Sequence, residues 1–483
     1  MLEFVRPFSI AAGQKSPAVA RLPQAKSRLR IVLALFAIGA TVNVYARTTP
    51  GQYSVTKYGA KGDGVAMDTA AIQKAIDAAA KHHGTVTFKP GTYLTGSLFI
   101  KSGVHFEVGE GVTLMGSQKL ADYPVMPTRV AGIEMNWPAG LINVYEQADV
   151  TIDGAGTIDG DGKVFWDSYW ALRKTYEPKG LRWASDYDAQ RPRLVVFYKS
   201  HDVKFGGGLN LRRSGFWTVH ICYSDKVAVD GVVIRNNEGG RGPSTDGIDI
   251  DSSTHILVAH ADIANNDDDI CLKSGRDADG LRVNKPTEHV VIRDSIIRAG
   301  AAGVTFGSET SGGFRDIEAY NLKVLKPVPN GILFKSAHTR GGLGEDIRIH
   351  DIDMDGVATP ISITMNWNPS YSYATIPPDQ KNYPAYWTVL TTHVPADKGL
   401  PHFQDVHIWN IKAVGARRAF SVSAYPNAPL INFRFDHIDI SAQTAGMIAD
   451  AKDWTFSTTE IKTADGSTVA VKDSTDVTGL PSK

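Results

Sequence analysis

Apolar and polar residues alternate in short segments that recur along most of the chain. They read DVTIDGAGTI at Asp149, DVKFGGGLNL at Asp202, KVAVDGVVI at Lys226, HILVAHADI at His255, HVVIRDSII at His289, DIEAYNLKV at Asp316, DIRIHDIDM at Asp346, DVHIWNIKA at Asp405 and NFRFDHIDI at Asn432. Strict alternation is the pattern of a half-buried strand. From Val227 onward the segments are 29, 34, 27, 30, 59 and 27 residues apart, and the 59 reads as about two steps holding a long insertion. A repeat of this length with several short strands predicts a solenoid. A propeller blade needs ~40–45 residues, the leucine-rich signature is absent, and the units have no 3.6-residue period. The pattern therefore predicts an all-β, single-stranded parallel β-helix, with a β-sandwich as the alternative.

A solenoid end must be covered. The segment DTAAIQKAIDAAAKHHG predicts one helix, started by Asp68 or Thr69, with Ile72, Ala75, Ile76 and Ala79 on one stripe and Gly84 past its end. This helix is expected to cap the first coil.

Composition narrows the function. Lys plus Arg equals Asp plus Glu at 51 each, so no basic field draws nucleic acid or an anionic membrane. Two cysteines, Cys222 and Cys271, make no disulfide framework, and one bridge between them is not deducible. Near the N-terminus, Lys26, Arg28 and Arg30 precede the apolar run Ile31–Ala40 and then Val44-x-Ala46. This is a signal-peptide pattern, too short for a membrane span. It predicts a leader over 1–46, cleavage near Ala46, and export to the periplasm or medium. Residues 47–483 are then one solenoid domain, a monomer without stable membrane insertion.

Two acidic clusters carry the chemistry. STDGIDIDSS and NNDDDICLKSG place Asp246 and Asp267 21 residues apart, close to one compact coil. Residues one coil apart lie on neighbouring strands roughly 4.8 Å apart, so the carboxylates share a face and repel. A solvated acidic ladder and a calcium site are the alternatives. The chain has no HExxH, GxSxG or phosphate loop. Glycoside hydrolysis needs only paired carboxylates, one protonated and one activating water, and crowding keeps one of them protonated.

With YSVTKYGAKGDGVAMDTAAIQKAIDAA and GTVTFKPGTYLTGSLFIKSGV, these clusters resemble glycoside hydrolase family 28, from about Tyr53 to the C-terminal end. That is the polygalacturonase family of right-handed parallel β-helices, which cleave pectin with inversion. The resemblance implies Asp267 as general acid and Asp246 and Asp268 as the residues that hold and activate water. It implies no cofactor and no metal. The family's Asn-Thr-Asp falls on Ser244-Thr245-Asp246, and Asp269 fills a slot often held by Cys or a small residue. Parity dissents: with Ile270 and Leu272 inward, Asp267, Asp269 and Lys273 point outward and Asp268 does not.

Two family signatures are broken. The His of Gly-His-Gly falls on Ala301 or Ala302, and Arg-Ile-Lys becomes Leu333-Phe334-Lys335. Arg matches carboxylate geometry and Leu offers no donor. The expected partner is therefore a pectic polysaccharide or oligosaccharide, with a rhamnose-containing or decorated chain favoured by Leu333. Lys335 is expected to hold a uronate, Arg340 to be a second anchor, and Trp367, with Tyr371 and Tyr373, to stack on sugar rings. His220 reads as a packed histidine. A pectic lyase and a catalytically altered carbohydrate-binding β-helix are the competing readings.

Overall fold

The computed structural model describes residues 51–482, so the leader read over 1–46 lies outside the described residues. Val227, Ile256, Val290, Ile317, Ile347, Val406 and Phe433, the positions that set the repeat, pair one after another in parallel register. All are buried, and their column forms one side of a continuous core. The residue before each is Lys226, His255, His289, Asp316, Asp346, Asp405 or Asn432, each with φ between 51° and 54°. Asp, Asn and His tolerate that left-handed conformation better than most residues. It turns the chain into the strand at the same point of every coil. The stack is a right-handed parallel β-helix.

The 59-residue step is a single coil, not two. Ile347 pairs directly with Val406, and the surplus residues form an excursion that carries short helices Pro369–Ser372, Ala385–Leu390 and Ala396–Gly399. The capping helix spans Thr69–Ala80, buries the stripe Ile72, Ala75, Ile76 and Ala79, and packs on the first strands. Asp68 precedes it, but its carboxylate accepts the N–H groups of Lys61 at 2.7 Å and Gly62 at 2.9 Å rather than capping the helix.

One sheet matters most for function. It stacks Ile142–Tyr145, Val195–Tyr198, Val219–Cys222, Ile248–Asp251, Asp268–Lys273, Ala302–Phe306, Asn330–Lys335 and Thr359–Thr364. Three excursions meet over its outer face: the antiparallel hairpin Val125–Val130/Ile133–Pro138, a helical segment that includes Lys163–Tyr176 and Ser185–Asp188, and the excursion after Thr364. They hold one another through a second apolar cluster containing Trp137, Trp183, Tyr187, Trp387 and Leu390. The Trp183 and Trp387 rings are 4.9 Å apart. Burying a large apolar side chain stabilises by roughly 1.5–3 kcal/mol, so this cluster fixes the walls. Cys222 and Cys271 are both buried and unbridged. No described helix is long and apolar enough to cross a membrane.

Candidate active site

Ile248 pairs with Ile270, which sets the acidic segments of two coils side by side. An oxygen of Asp246, an oxygen of Asp268 and Cys271 Sγ lie within 4.8 Å of one another. Asp246, Asp267, Asp268, Lys335 and Trp367 line one narrow cleft of about 50 Å³. All three aspartates precede or open their strands, and the alternation of sides fails there. Ser244 has φ 49°, and Asp246 comes two residues before the strand Ile248–Asp251. Asp267 and Asp268 both face the cleft, whereas Asp269 turns away against Gly300. A Cβ at Gly300 would lie 2.1 Å from Asp269 Oδ2. Extrapolating parity from Ile270 thus misplaces Asp268 and Asp269.

Both Asp269 oxygens are buried without a hydrogen-bond partner among the described residues. Burial, and then the charges of Asp268 and Asp267, hold its pKa well above the usual carboxylate range. A raised carboxyl stabilises the fold only while protonated, so its contribution fades as pH rises above the unfolded value. Asp269→Ala is therefore expected to raise stability at pH 7 by roughly 1–3 kcal/mol, with the gain shrinking at pH 4. Calorimetric melting at the two pH values checks this, and an unchanged or lower melting temperature at pH 7 would refute it.

Two ammonium groups hold the cleft floor together. Lys335 Nζ donates to Asp268 Oδ2 at 2.6 Å and lies 4.4 Å from the Trp367 ring centroid. Burial is the largest effect and opposes its charge, but Asp268, Cys271 and Asp267 together raise its pKa. Lys273 Nζ is 3.4 Å from Asp246, Asp249 and Glu309 and 5.0 Å from the Trp217 ring. Burial works against this ammonium too, and the surrounding acidic groups hold its pKa well above normal. Glu309 accepts the Tyr371 hydroxyl at 3.2 Å. Burial would raise its pKa, yet Lys273, Arg340 and Arg276 bring it down to about 2.

Asp267, Asp246 and Asp249 are pushed the other way. Burial and then the Asp268 charge raise Asp267, whose Oδ1 accepts the Asp268 N–H at 3.0 Å. Burial and then Asp249 raise Asp246 well above normal, and burial first raises Asp249 to about 7. Asp246 and Asp249 thus crowd around the single Lys273 ammonium, the arrangement in which two carboxyls share a proton. The site combines an Asp267 of raised pKa with an Asp268 carboxylate ion-paired to Lys335. The nearby ammonium groups already supply the positive charge that a calcium ion would bring to these oxygens, and they would repel that ion.

Other expected residues land elsewhere. Arg340 does not line the cleft. Its buried guanidinium donates from Nε to Ser308 O at 3.0 Å and pairs with Asp277, so it braces the segment carrying Glu309 instead of meeting substrate. Leu333 is 5% exposed and also lies outside the cleft lining, so it offers no apolar contact to a sugar there. Ala302 pairs with Asp268, and neither it nor Ala301 supplies an imidazole. Tyr373 stacks on His338 at 4.2 Å and lines a separate groove, whereas Tyr371 lines the cleft with Trp367. His220 is packed, its Nδ1 2.6 Å from Arg193 Nη1, and burial lowers its pKa to about 4.

Sequence reasoning missed Glu309, Arg182 and Asp186, and gave Lys273 no role beyond facing outward. Only Lys273 carried a usable signal, its outward parity in the strand Asp268–Lys273. The hairpin tip also reaches the site. Gly132, at φ 88°, is packed so closely that a Cβ would sit 2.4 Å from Arg276 Cβ.

Residues 91–379 match the model of the glycosyl hydrolases family 28. The chain belongs to this family. Its members are glycoside hydrolases, so this chain is one. A probable polygalacturonase of Vitis vinifera is 28% identical over 85% of this chain and 77% of its own length. An exo-poly-alpha-D-galacturonosidase of Dickeya chrysanthemi is 24% identical over 89% and 77%. The family 28 exopolygalacturonase of Yersinia enterocolitica superposes with a TM-score of 0.73 at 19% identity, covering 90% of this chain and 79% of its own; it shares the fold.

Proposed function

We propose that this family 28 enzyme is an exported, inverting hydrolase that removes residues from the end of galacturonate-containing pectic chains. One arrangement carries the reading: Asp267, its pKa raised by burial and by the Asp268 charge, stands beside an Asp268 carboxylate paired with Lys335, in a cleft walled on its flanks. Asp267 protonates the glycosidic oxygen. Asp268 Oδ1 is buried without a partner among the described residues, and one Asp268 oxygen lies within 4.8 Å of an Asp246 oxygen. Those two residues hold the attacking water and Asp268 takes its proton, on the far side of the sugar from Asp267. Attack from that face inverts the anomeric centre.

End-on action rests on the walls. The hairpin contributes Ala131, the helical excursion Arg182 and Asp186, and the late excursion Trp367 and Tyr371. A cleft of about 50 Å³ bounded in this way suits a chain terminus better than an uninterrupted polymer. The exo-acting Dickeya relative supports the same reading. Because Leu333 lies outside the cleft, the case for rhamnose beside the cleaved bond weakens and plain galacturonan becomes the better substrate. The lyase reading weakens too, since Lys335 is tied to Asp268 rather than free to act as a base.

The mature chain incubated separately with polygalacturonate and rhamnogalacturonan oligosaccharides tests this by mass spectrometry and absorbance. The expected result is saturated mono- or digalacturonate from polygalacturonate from the first minutes, with the inverted anomer seen by proton NMR. Early fragments of many lengths would overturn end-on action. Unsaturated, ultraviolet-absorbing products would make the enzyme a lyase, and no product from either chain would favour a binding scaffold.

A further inference from the structure

Three cationic side chains line the cleft, and two are engaged at its floor. Lys335 is bonded to Asp268, and Lys273 lies among Asp246, Asp249 and Glu309. The third, Arg182, comes from the helical excursion, in the short turn Arg182–Ala184. Its side chain is 13% exposed, and its Nη1 donates to Asp186 Oδ2 at 2.8 Å.

Asp186 does not neutralise Arg182 alone. Its other oxygen takes Arg191 Nη2 at 3.0 Å and the Ser244 hydroxyl at 2.8 Å, and Arg191 is fully buried. One carboxylate therefore stands between two guanidinium groups, and the cluster keeps a surplus positive charge on the side that faces the cleft. Arg182 Nε and Nη2 make no hydrogen bond among the described residues, and because Nε is buried, Nη2 is the donor left for the cleft. A guanidinium N–H meets a carboxylate with a charge-assisted hydrogen bond. The Tyr371 ring, with its centroid 5.1 Å from Arg182 Cζ, packs against that guanidinium.

Ser244 ties this cluster to the reacting centre, because Asp246 follows it by two residues and lines the same cleft. The sheet position where a guanidinium was expected holds the buried Leu333. We propose that Arg182 is the specificity-determining residue of the cleft, donating from Nη2 to the carboxylate of the uronate beside the cleaved bond. The excursion, rather than the sheet, then supplies the guanidinium that reads the acid. This assignment rests on the galacturonate-hydrolase reading above.

Steady-state kinetics on oligogalacturonate and on its methyl ester test it, using wild type, Arg182→Gln and Arg182→Lys. A charge-assisted contact predicts that Arg182→Gln raises KM for the free acid roughly 10–100-fold, with kcat changed only a few-fold. KM for the ester should barely move, so the preference for acid over ester collapses. Arg182→Lys, which keeps the charge and the Asp186 pair, should recover part of the loss. Equal losses on acid and ester, or an unchanged KM for the acid, would overturn the assignment while leaving the hydrolase reading intact. A wild-type enzyme that neither cleaves nor binds either oligomer would overturn both.

Discussion

Asp267→Asn is expected to lower kcat on oligogalacturonate by roughly 10²–10⁴-fold, the usual contribution of a positioned general acid. Binding should stay within a few-fold, because Asn keeps the shape and the acceptor that meets the Asp268 N–H at 3.0 Å. The pH profile adds a second readout. Burial and the Asp268 charge raise the Asp267 pKa, so the wild-type rate should fall as pH climbs through that raised value and the acid loses its proton. In the variant this alkaline limb should be missing. Rates and titration calorimetry on the same oligomer check both points. A variant with wild-type kcat would remove Asp267 from the mechanism.

Lys273→Met should be the most damaging change to the fold. It removes the ammonium that lies 3.4 Å from each of three carboxyl groups and leaves them buried together. Breaking a buried ion pair from one side costs about 3–5 kcal/mol. The pH dependence has a definite sign. Glu309 is held at about 2 against an ordinary 4.5, so the stability it contributes is present above 4.5 and lost as pH falls toward 2. The deficit of the variant should thus be full at pH 7 and begin to shrink below about pH 4.5. Urea unfolding at pH 7 and pH 3 measures it, and a deficit that grows on acidification would contradict the assigned charges.

The stack was legible because its two signals are local. Alternation marks each strand, and the Asp, Asn or His before it marks the left-handed turn, as at Asp316 and Asn432. The 21-residue offset between Asp246 and Asp267 placed the clusters together for the same reason. Side-by-side assignment failed where strands begin, because parity is a property of extended backbone and Asp246, Asp267 and Asp268 enter from turns. The 59-residue step misled because an excursion adds residues without adding a coil. Arg340 looked available beside Gly341-Gly342, yet it is buried against Asp277, a partner 63 residues away that no local pattern announces. Arg182 and Asp186 lie in a stretch with neither repeat nor alternation, so nothing in the sequence tied them to Asp246.

The tryptophan-rich contact among the three excursions has an evolutionary consequence. The acid and water-holding groups belong to the coils, whose ladder tolerates little change. The walls grip one another through Trp137, Trp183 and Trp387. A descendant can therefore lengthen, shorten or exchange the walls as a set and inherit the bond-breaking apparatus unaltered. Diversification on this scaffold should proceed by replacing the whole canopy, and a single transplanted loop should arrive without its partners and fail to order.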